Sequence, residues 1–329
     1  MLLRGRPQVG EGGRVAALSL WDDSPRPWWS QLRRRLRDDP EVWSALCAEF
    51  GRHPATAASL TGLRPYRPER PSDSTWFTGT WLPWNTEVLV KVNVTERERF
   101  WMSAASQATT DVVPPVPASD TRLNELDVAW LVLERIPHGH DPAWGAPAFS
   151  ALLQAAARFQ VFAAGVETAL VYEEGLDVIR RWSRGGRDLC QEATVLLANV
   201  DRDWAWVTAV AQTEVMFGDL HFGNAAFRHP PPRLEAILFD PIPRRQPWPF
   251  EPAYCEVACG GSGLVREMAA IRAAGNRPTC GPGEVDRLAA LYCGWIALLW
   301  WGIQPHLRSD AARRARLMKY VTSAAQLDR

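Results

Sequence analysis

Lysine is nearly absent from this chain: of its 37 basic residues only Lys91 and Lys319 are lysine, so arginine is the default cation. Neither sign of charge is in surplus, with 37 basic against 37 acidic residues, and that balance asks for neither nucleic acid nor an anionic membrane. Paired cysteines are missing too. Six are scattered at positions 47, 190, 255, 259, 280 and 293 without CxxC spacing, which argues against structural zinc and suits a reduced, cytoplasmic protein. The opening stretch MLLRGRPQVGEGGR has no apolar run, which speaks against a secretory signal. The longest apolar run, Leu288 to Ile303, falls short of the ~20 residues a membrane span needs and reads as a buried helix. No internal repeat or low-complexity tract stands out.

What the chain does have is length and tryptophan. Its 329 residues suit two lobes rather than one core, and 47% hydrophobic with 22% charged residues is an ordinary globular composition. Tryptophan, at 17, outnumbers phenylalanine, at 11, so some of it must line surfaces as well as fill cores. Periodicity predicts a helix within 25–60, then an irregular segment over 64–73, where three prolines forbid helix. Strand-like runs at 75–82 and 87–94 form a hairpin through Pro83-Trp84-Asn85-Thr86. Thr95 with Glu98 is a capping box opening the next helix, and Val128–Ile136 is an apolar strand after a Pro-rich connection over 108–120. Beyond it strands are scarce. Helices fit 147–164, 175–184, 191–199, 201–212, 264–274 and 284–325, and a short strand pair, 214–217 with 234–239, frames a loop. The expectation is an α+β chain with a small β-rich lobe over 1–136 and a larger helical lobe over 137–329.

The most specific segment is Phe217-Gly218-Asp219-Leu220-His221-Phe222-Gly223-Asn224. An Asp and an Asn five residues apart in a tight loop, followed by a strand ending in Asp240, can converge three oxygen ligands on one point. Phosphoryl transfer needs that set: one carboxylate orients the attacking hydroxyl, while an amide and a second carboxylate hold Mg²⁺ against the phosphates. Asp and Asn also favour plain turns, so either residue alone would say little; the ordered set says more.

FGDLHFGN resembles the catalytic loop HGDLHxGN of the aminoglycoside phosphotransferase family, a branch of the protein-kinase-like fold. The segment LFDP at 238–241 resembles that family's IDP or IDW. The continuation Asp240-Pro241-Ile242-Pro243, with Glu251-Pro252-Ala253-Tyr254 after it, is similar to the streptomycin and hydroxyurea kinase-like branch. The resemblance implies a bilobal protein-kinase-like fold in which Asp219 is the catalytic carboxylate and Asn224 and Asp240 are the Mg²⁺ ligands. It implies that Lys91, within Val88-Leu89-Val90-Lys91-Val92, holds nucleotide phosphates, paired with Glu98 or, as second choice, Glu96. A buried mid-strand lysine in an arginine-writing sequence is chemically apt, since a compact ammonium can reach phosphates from there. The stretch Val132 to Ile136 resembles the hinge, whose backbone at Glu134 and Ile136 would meet the adenine edge. Three features depart from the pattern. Phe217 replaces a His at an inward position. No glycine-rich loop precedes Lys91, which leaves Ser72, Ser74 or Thr75 to cover phosphates. Glu256 stands near where a loop-bracing Asp is expected.

Other residues read blandly: His138 and His140 as solvent-facing, His221 as bonded within its loop, Cys255 and Cys259 as packed thiols, and Arg313, Arg314 and Arg316 as a solvated helix face. The expected partners are a nucleoside triphosphate, ATP with GTP open, and Mg²⁺, together with a small hydroxylated natural product such as an antibiotic. A metabolite or biosynthetic kinase and an inactive kinase-like binding module are the alternatives. From Asp141 onward there are about 20 acidic and about 20 basic residues, so the second lobe lacks the acidic surplus that a polycation would need. Arg244, Arg245 and Trp248 follow the metal segment and suggest contact with a neutral or weakly charged ring, as in a nucleoside-type antibiotic.

Overall fold

The hydrophobic alternation over 75–92 builds the first sheet. In the computed structural model, which describes residues 40–66, 75–108, 111–304 and 309–327, strands β1 (Leu60–Tyr66), β2 (Thr75–Trp81), β3 (Thr86–Val92), β4 (Ala118–Asp120) and β5 (Trp130–Glu134) form one five-stranded sheet. Its order is β1-β2-β3-β5-β4, and every neighbouring pair is antiparallel. Phe77, Val88, Val90, Val92, Trp130 and Val132 are buried on one face, against Leu46 and Phe50 of helix α1 (Pro40–Arg52). Helix α2 (Glu96–Gln107) follows β3 and sends Trp101 and Met102 into the larger, second core.

Two local expectations change here. The proline-bearing stretch is strand as far as Tyr66, because Pro65 lies on the edge strand β1, where a missing N–H costs no central ladder bond. Residues 25–39 of the expected first helix and 67–74 of the expected loop lie outside the described residues.

The C-terminal region is helical: α3 (Gly145–Ala163), α4 (Leu176–Gly185), α5 (Glu192–Ala198), α6 (Val200–Val210), α7 (Phe250–Cys259), α8 (Leu264–Ala274), α9 (Pro282–Ile303) and α10 (Ala311–Ala325). The apolar run at 288–303 is the buried part of α9, with Tyr292, Trp295, Ile296 and Leu298 inaccessible. Gly294 lets α9 and α10 approach, since a Cβ there would lie 2.7 Å from that of Ala324. Among the described residues no helix is long and apolar enough to cross a membrane. The architecture is bilobal α+β of the protein-kinase-like kind, a β-rich N-terminal region followed by a larger helical one.

The strands framing the loop do not pair with each other. Strand β7 (Thr213–Met216) pairs with β10 (Arg244–Pro247), which also runs parallel to β6 (Tyr172–Glu173). Strand β9 (Ala236–Leu238) instead pairs with β8 (Ala225–Phe227). The chain reverses at the 3-10 turn Phe222–Asn224, so the segment right after the loop, not the one before it, becomes the partner of β9.

Candidate active site

Lys91 is 3% exposed and projects from β3 into the space between the two regions. Its Nζ lies 2.6 Å from Glu98 Oε1, pairs also with Asp240 Oδ1, and sits 5.1 Å from the centre of the Trp76 ring. The local sequence makes this possible through a division of labour at the start of α2. The Glu98 backbone N–H donates to Thr95 Oγ1 (3.0 Å) and completes the cap, while the Glu98 carboxylate turns to Lys91. Only the backbone half of the expected capping box forms. Burial opposes charge on Lys91, but the Asp240 and Glu98 carboxylates outweigh it and hold the ammonium above its usual range. Burial pushes Glu98 upward, with Lys91 pulling it back and Asp240 adding to the rise.

The loop after β7 is anchored at both ends. Phe217 is fully buried and meets Phe159 edge-on, with centroids 5.4 Å apart, so an aromatic does serve at that inward position. Gly218 has φ +93, and a Cβ there would fall 1.8 Å from the Ile242 carbonyl oxygen, which admits only glycine. Its N–H donates to Glu251 Oε1 (2.9 Å), and its carbonyl accepts from Arg244 Nε (3.2 Å). The Phe239 N–H donates to the Asn224 carbonyl (2.8 Å), which ties the metal-segment strand to the loop. Asp240 then adopts φ +56, which turns its side chain off the strand direction.

Asp219 is held by three donors. Asn224 Nδ2 reaches its Oδ2 at 2.8 Å, Tyr254 Oη donates to its Oδ1 at 2.7 Å, and His221 Nε2 lies 3.5 Å from the same oxygen. Burial alone would raise the carboxyl; His221 first, then Tyr254 and the charge of Arg244, hold it below the usual carboxylate range. His221 accepts the Gly223 N–H on Nδ1 (2.9 Å), a bond within the loop. Because the Asn224 amide nitrogen faces Asp219, its carbonyl oxygen is left for another partner. Asn224 and Asp240 are hard oxygen donors, two side chains of the kind that bind Mg²⁺ together with phosphates and water.

At the end of β5, the Glu134 N–H donates to Pro115 O (2.9 Å) and the Arg135 N–H to Glu87 O (3.1 Å). The Glu134 carboxylate pairs with Arg228 Nη1 at 3.1 Å. Among the described residues, neither the Glu134 carbonyl nor the Ile136 amide takes part in a loop or turn bond.

Several expectations fail on burial. Arg244 is 2% exposed, its guanidinium spent on Glu174 and the Gly218 carbonyl, and Trp248 is 0% exposed beneath Arg272, 5.1 Å from its ring. Neither is presented to a ligand: Arg244 lies on β10, the central strand between β6 and β7, and Trp248 follows directly after that strand. Arg245, on the opposite face, is exposed and pairs with Glu173 at 2.9 Å. Glu256 does not brace the loop; it accepts the Leu264 N–H (2.9 Å) at the start of α8. The brace is Glu251, buried and also bonded by Gln160 Nε2 (2.9 Å); burial pushes its carboxyl up to about 7 against those donors. Ser72 and Ser74 lie outside the described residues, and Thr75 Oγ1 is buried without a partner at the start of β2. His140 is half-buried and stacks on Phe222 at 3.6 Å with the planes 8° apart. Arg313 is half-buried over the Trp300 ring, at 5.4 Å, while Arg314 is exposed as expected, 5.6 Å from the Trp301 ring. Tyr254 and Glu251 were the functional candidates sequence reasoning missed; the Glu-Pro-Ala-Tyr motif was the available signal.

No protein-family model matches the chain, and no curated protein does. Solved structures do. A choline kinase from Cryptosporidium parvum is 9% identical, with 88% of this chain and 96% of that one covered at a TM-score of 0.58. A choline/ethanolamine kinase family protein from Mesorhizobium loti is 13% identical, with coverage of 86% and 98% and a TM-score of 0.52. An aminoglycoside phosphotransferase from Alicyclobacillus acidocaldarius is 10% identical, with coverage of 81% and 91% and a TM-score of 0.52. At these identities the likeness is one of architecture, and it spans nearly the full length of each counterpart. The chain has the fold shared by aminoglycoside phosphotransferases and choline kinases.

Proposed function

We propose that the chain is an ATP-dependent phosphotransferase that moves a γ-phosphoryl group onto a hydroxyl of a small molecule, an antibiotic-like natural product in particular. The observation that carries this reading is the convergence of Lys91, Glu98 and Asp240 beside a loop that orients Asp219 with three donors. Lys91, charged and buried, would hold nucleotide phosphates once they displace Asp240 from it. The Glu134 carbonyl and Ile136 N–H are the hinge groups for the adenine edge. Asn224 and Asp240 would hold Mg²⁺, which supplies neutralisation of phosphate charge when bound. Asp219, kept ionised by its donors, accepts the hydrogen bond of the acceptor hydroxyl on a lone pair those donors leave open and so aims it at the phosphorus. A binding module without chemistry would have no use for a carboxylate positioned in this way.

The test is nucleotide consumption with a panel of hydroxylated acceptors, and a product heavier by one phosphate. Asp219→Ala is expected to lose about 10²–10⁴-fold in turnover with nucleotide affinity retained. Asp240→Ala should instead weaken Mg²⁺-dependent nucleotide binding. Near-normal turnover in Asp219→Ala would overturn the assignment.

A further inference from the structure

A cleft of about 570 Å³ opens against the catalytic loop on the helical side. Its walls include His221 and Phe222 of the loop, His140, Phe149, Trp300 and Arg313. Three rings form one wall: His140 stacks flat on Phe222, and Phe149 meets Phe222 at 4.8 Å and 60°. Opposite them, Trp300 contacts Tyr254 with ring centroids 5.9 Å apart, and Tyr254 is the residue bonded to Asp219. A molecule seated in the cleft would therefore abut the loop that carries the carboxylate.

The charge of this cleft is unusual for a cation's site. Among the described residues, no Asp or Glu lines it. Arg313 lies with its guanidinium over the Trp300 ring, and among the described residues its side chain makes no ion pair and no hydrogen bond. Both Arg313 Nε and Trp300 Nε1 are buried donors without an acceptor. Arg313 thus brings a guanidinium to the wall of the cleft, a group that pairs with the oxygens of an anionic ligand. A quaternary or polycationic ligand would find the Trp300 face already taken by a like charge and, among the described residues, no carboxylate in the lining.

We infer that this cleft is the acceptor site, and that it selects a hydroxylated molecule with a flat ring and an anionic group, the ring on the Phe222 wall and the anion on Arg313. The inference rests on the phosphotransferase reading above for the word acceptor; the binding preference itself does not.

A matched set of probes separates the two: 4-(hydroxymethyl)benzoate, its amide, and the corresponding benzyltrimethylammonium alcohol share one ring and one hydroxyl but differ in charge. Binding to the full chain is read by calorimetry, with MgATP binding and phosphorylation measured alongside. The carboxylate is expected to bind at least about tenfold more tightly than the amide, as a charge-assisted pair allows, and the cation most weakly. Arg313→Gln should abolish that order while MgATP affinity and thermal midpoint stay unchanged, and Arg313→Lys should retain part of it. If the carboxylate binds no better than the other two, or Arg313→Gln keeps the same order, the inference falls. Carboxylate binding that requires Arg313, in a protein that phosphorylates nothing, would leave the cleft's selectivity standing and sink the phosphotransferase reading instead.

Discussion

Tyr254 donates its phenolic hydrogen to Asp219 Oδ1 across 2.7 Å, from the helix that follows β10 to the loop that follows β7. Burial and the nearby Asp219 charge keep the phenol protonated well above its usual range, so it acts as a permanent donor. Tyr254→Phe removes that donor. Asp219, now held low by His221 and the charge of Arg244, should titrate closer to the ordinary carboxylate range. The acidic limb of the kcat/KM profile is then expected to move upward in pH, with nucleotide affinity unchanged. The stability that a depressed carboxylate contributes above its unfolded value should shrink in parallel. An unmoved limb would show that Tyr254 only packs.

Lys91→Arg conserves charge and should still be damaging. The slot between Glu98, Asp240 and the Trp76 ring fits an ammonium, and a planar guanidinium there must shift one of them. Overpacking of this kind costs about 1–3 kcal/mol, readable as a lowered urea midpoint. Nucleotide affinity should drop at least tenfold in the same protein. Unchanged affinity in a well-folded Lys91→Arg variant would remove Lys91 from the phosphate site.

Glu251 gives the fold a pH dependence. Its folded value, about 7, lies above the ordinary 4.5, so the folded state keeps a proton that the unfolded state has released. Stability attributable to this group therefore falls as pH rises from about 4.5 to about 7. Glu251→Gln retains an oxygen for the Gly218 N–H and cannot titrate. Denaturation midpoints across that window should decline less steeply in the variant; an identical slope would contradict the assignment.

Gly218→Ala tests the loop's anchorage. With φ +93 and the Ile242 carbonyl 1.8 Å from the new Cβ, the loop must move or the strand after it must yield. A loss on the order of 4 kcal/mol is expected, visible in the thermal midpoint. A variant as stable as the parent would mean that the Phe217–Ile242 contact is not held rigidly.

The local pieces were legible in the sequence. Alternation set β2 and β3, Thr95 marked the cap of α2, and the spacing of Asp219 and Asn224 pointed to one tight loop, because each of these depends on neighbours a few residues apart. The scarcity of lysine in an arginine-rich chain pointed to Lys91 for the same reason: its chemistry is visible without its surroundings. What the tertiary structure alone decided is which side chains face inward. Arg244 and Trp248 looked like ligand contacts until β10 proved to be a central strand, paired on both sides with segments far away in the chain. Glu251 rather than Glu256 reaches Gly218, 33 residues earlier, because the first turn of α7 lies under the loop and its second turn faces α8. Arg313 acquired its place over Trp300 only when α9 and α10 came together. Burial and long-range pairing depend on where the whole chain passes, and residue spacing along one segment carries no record of that.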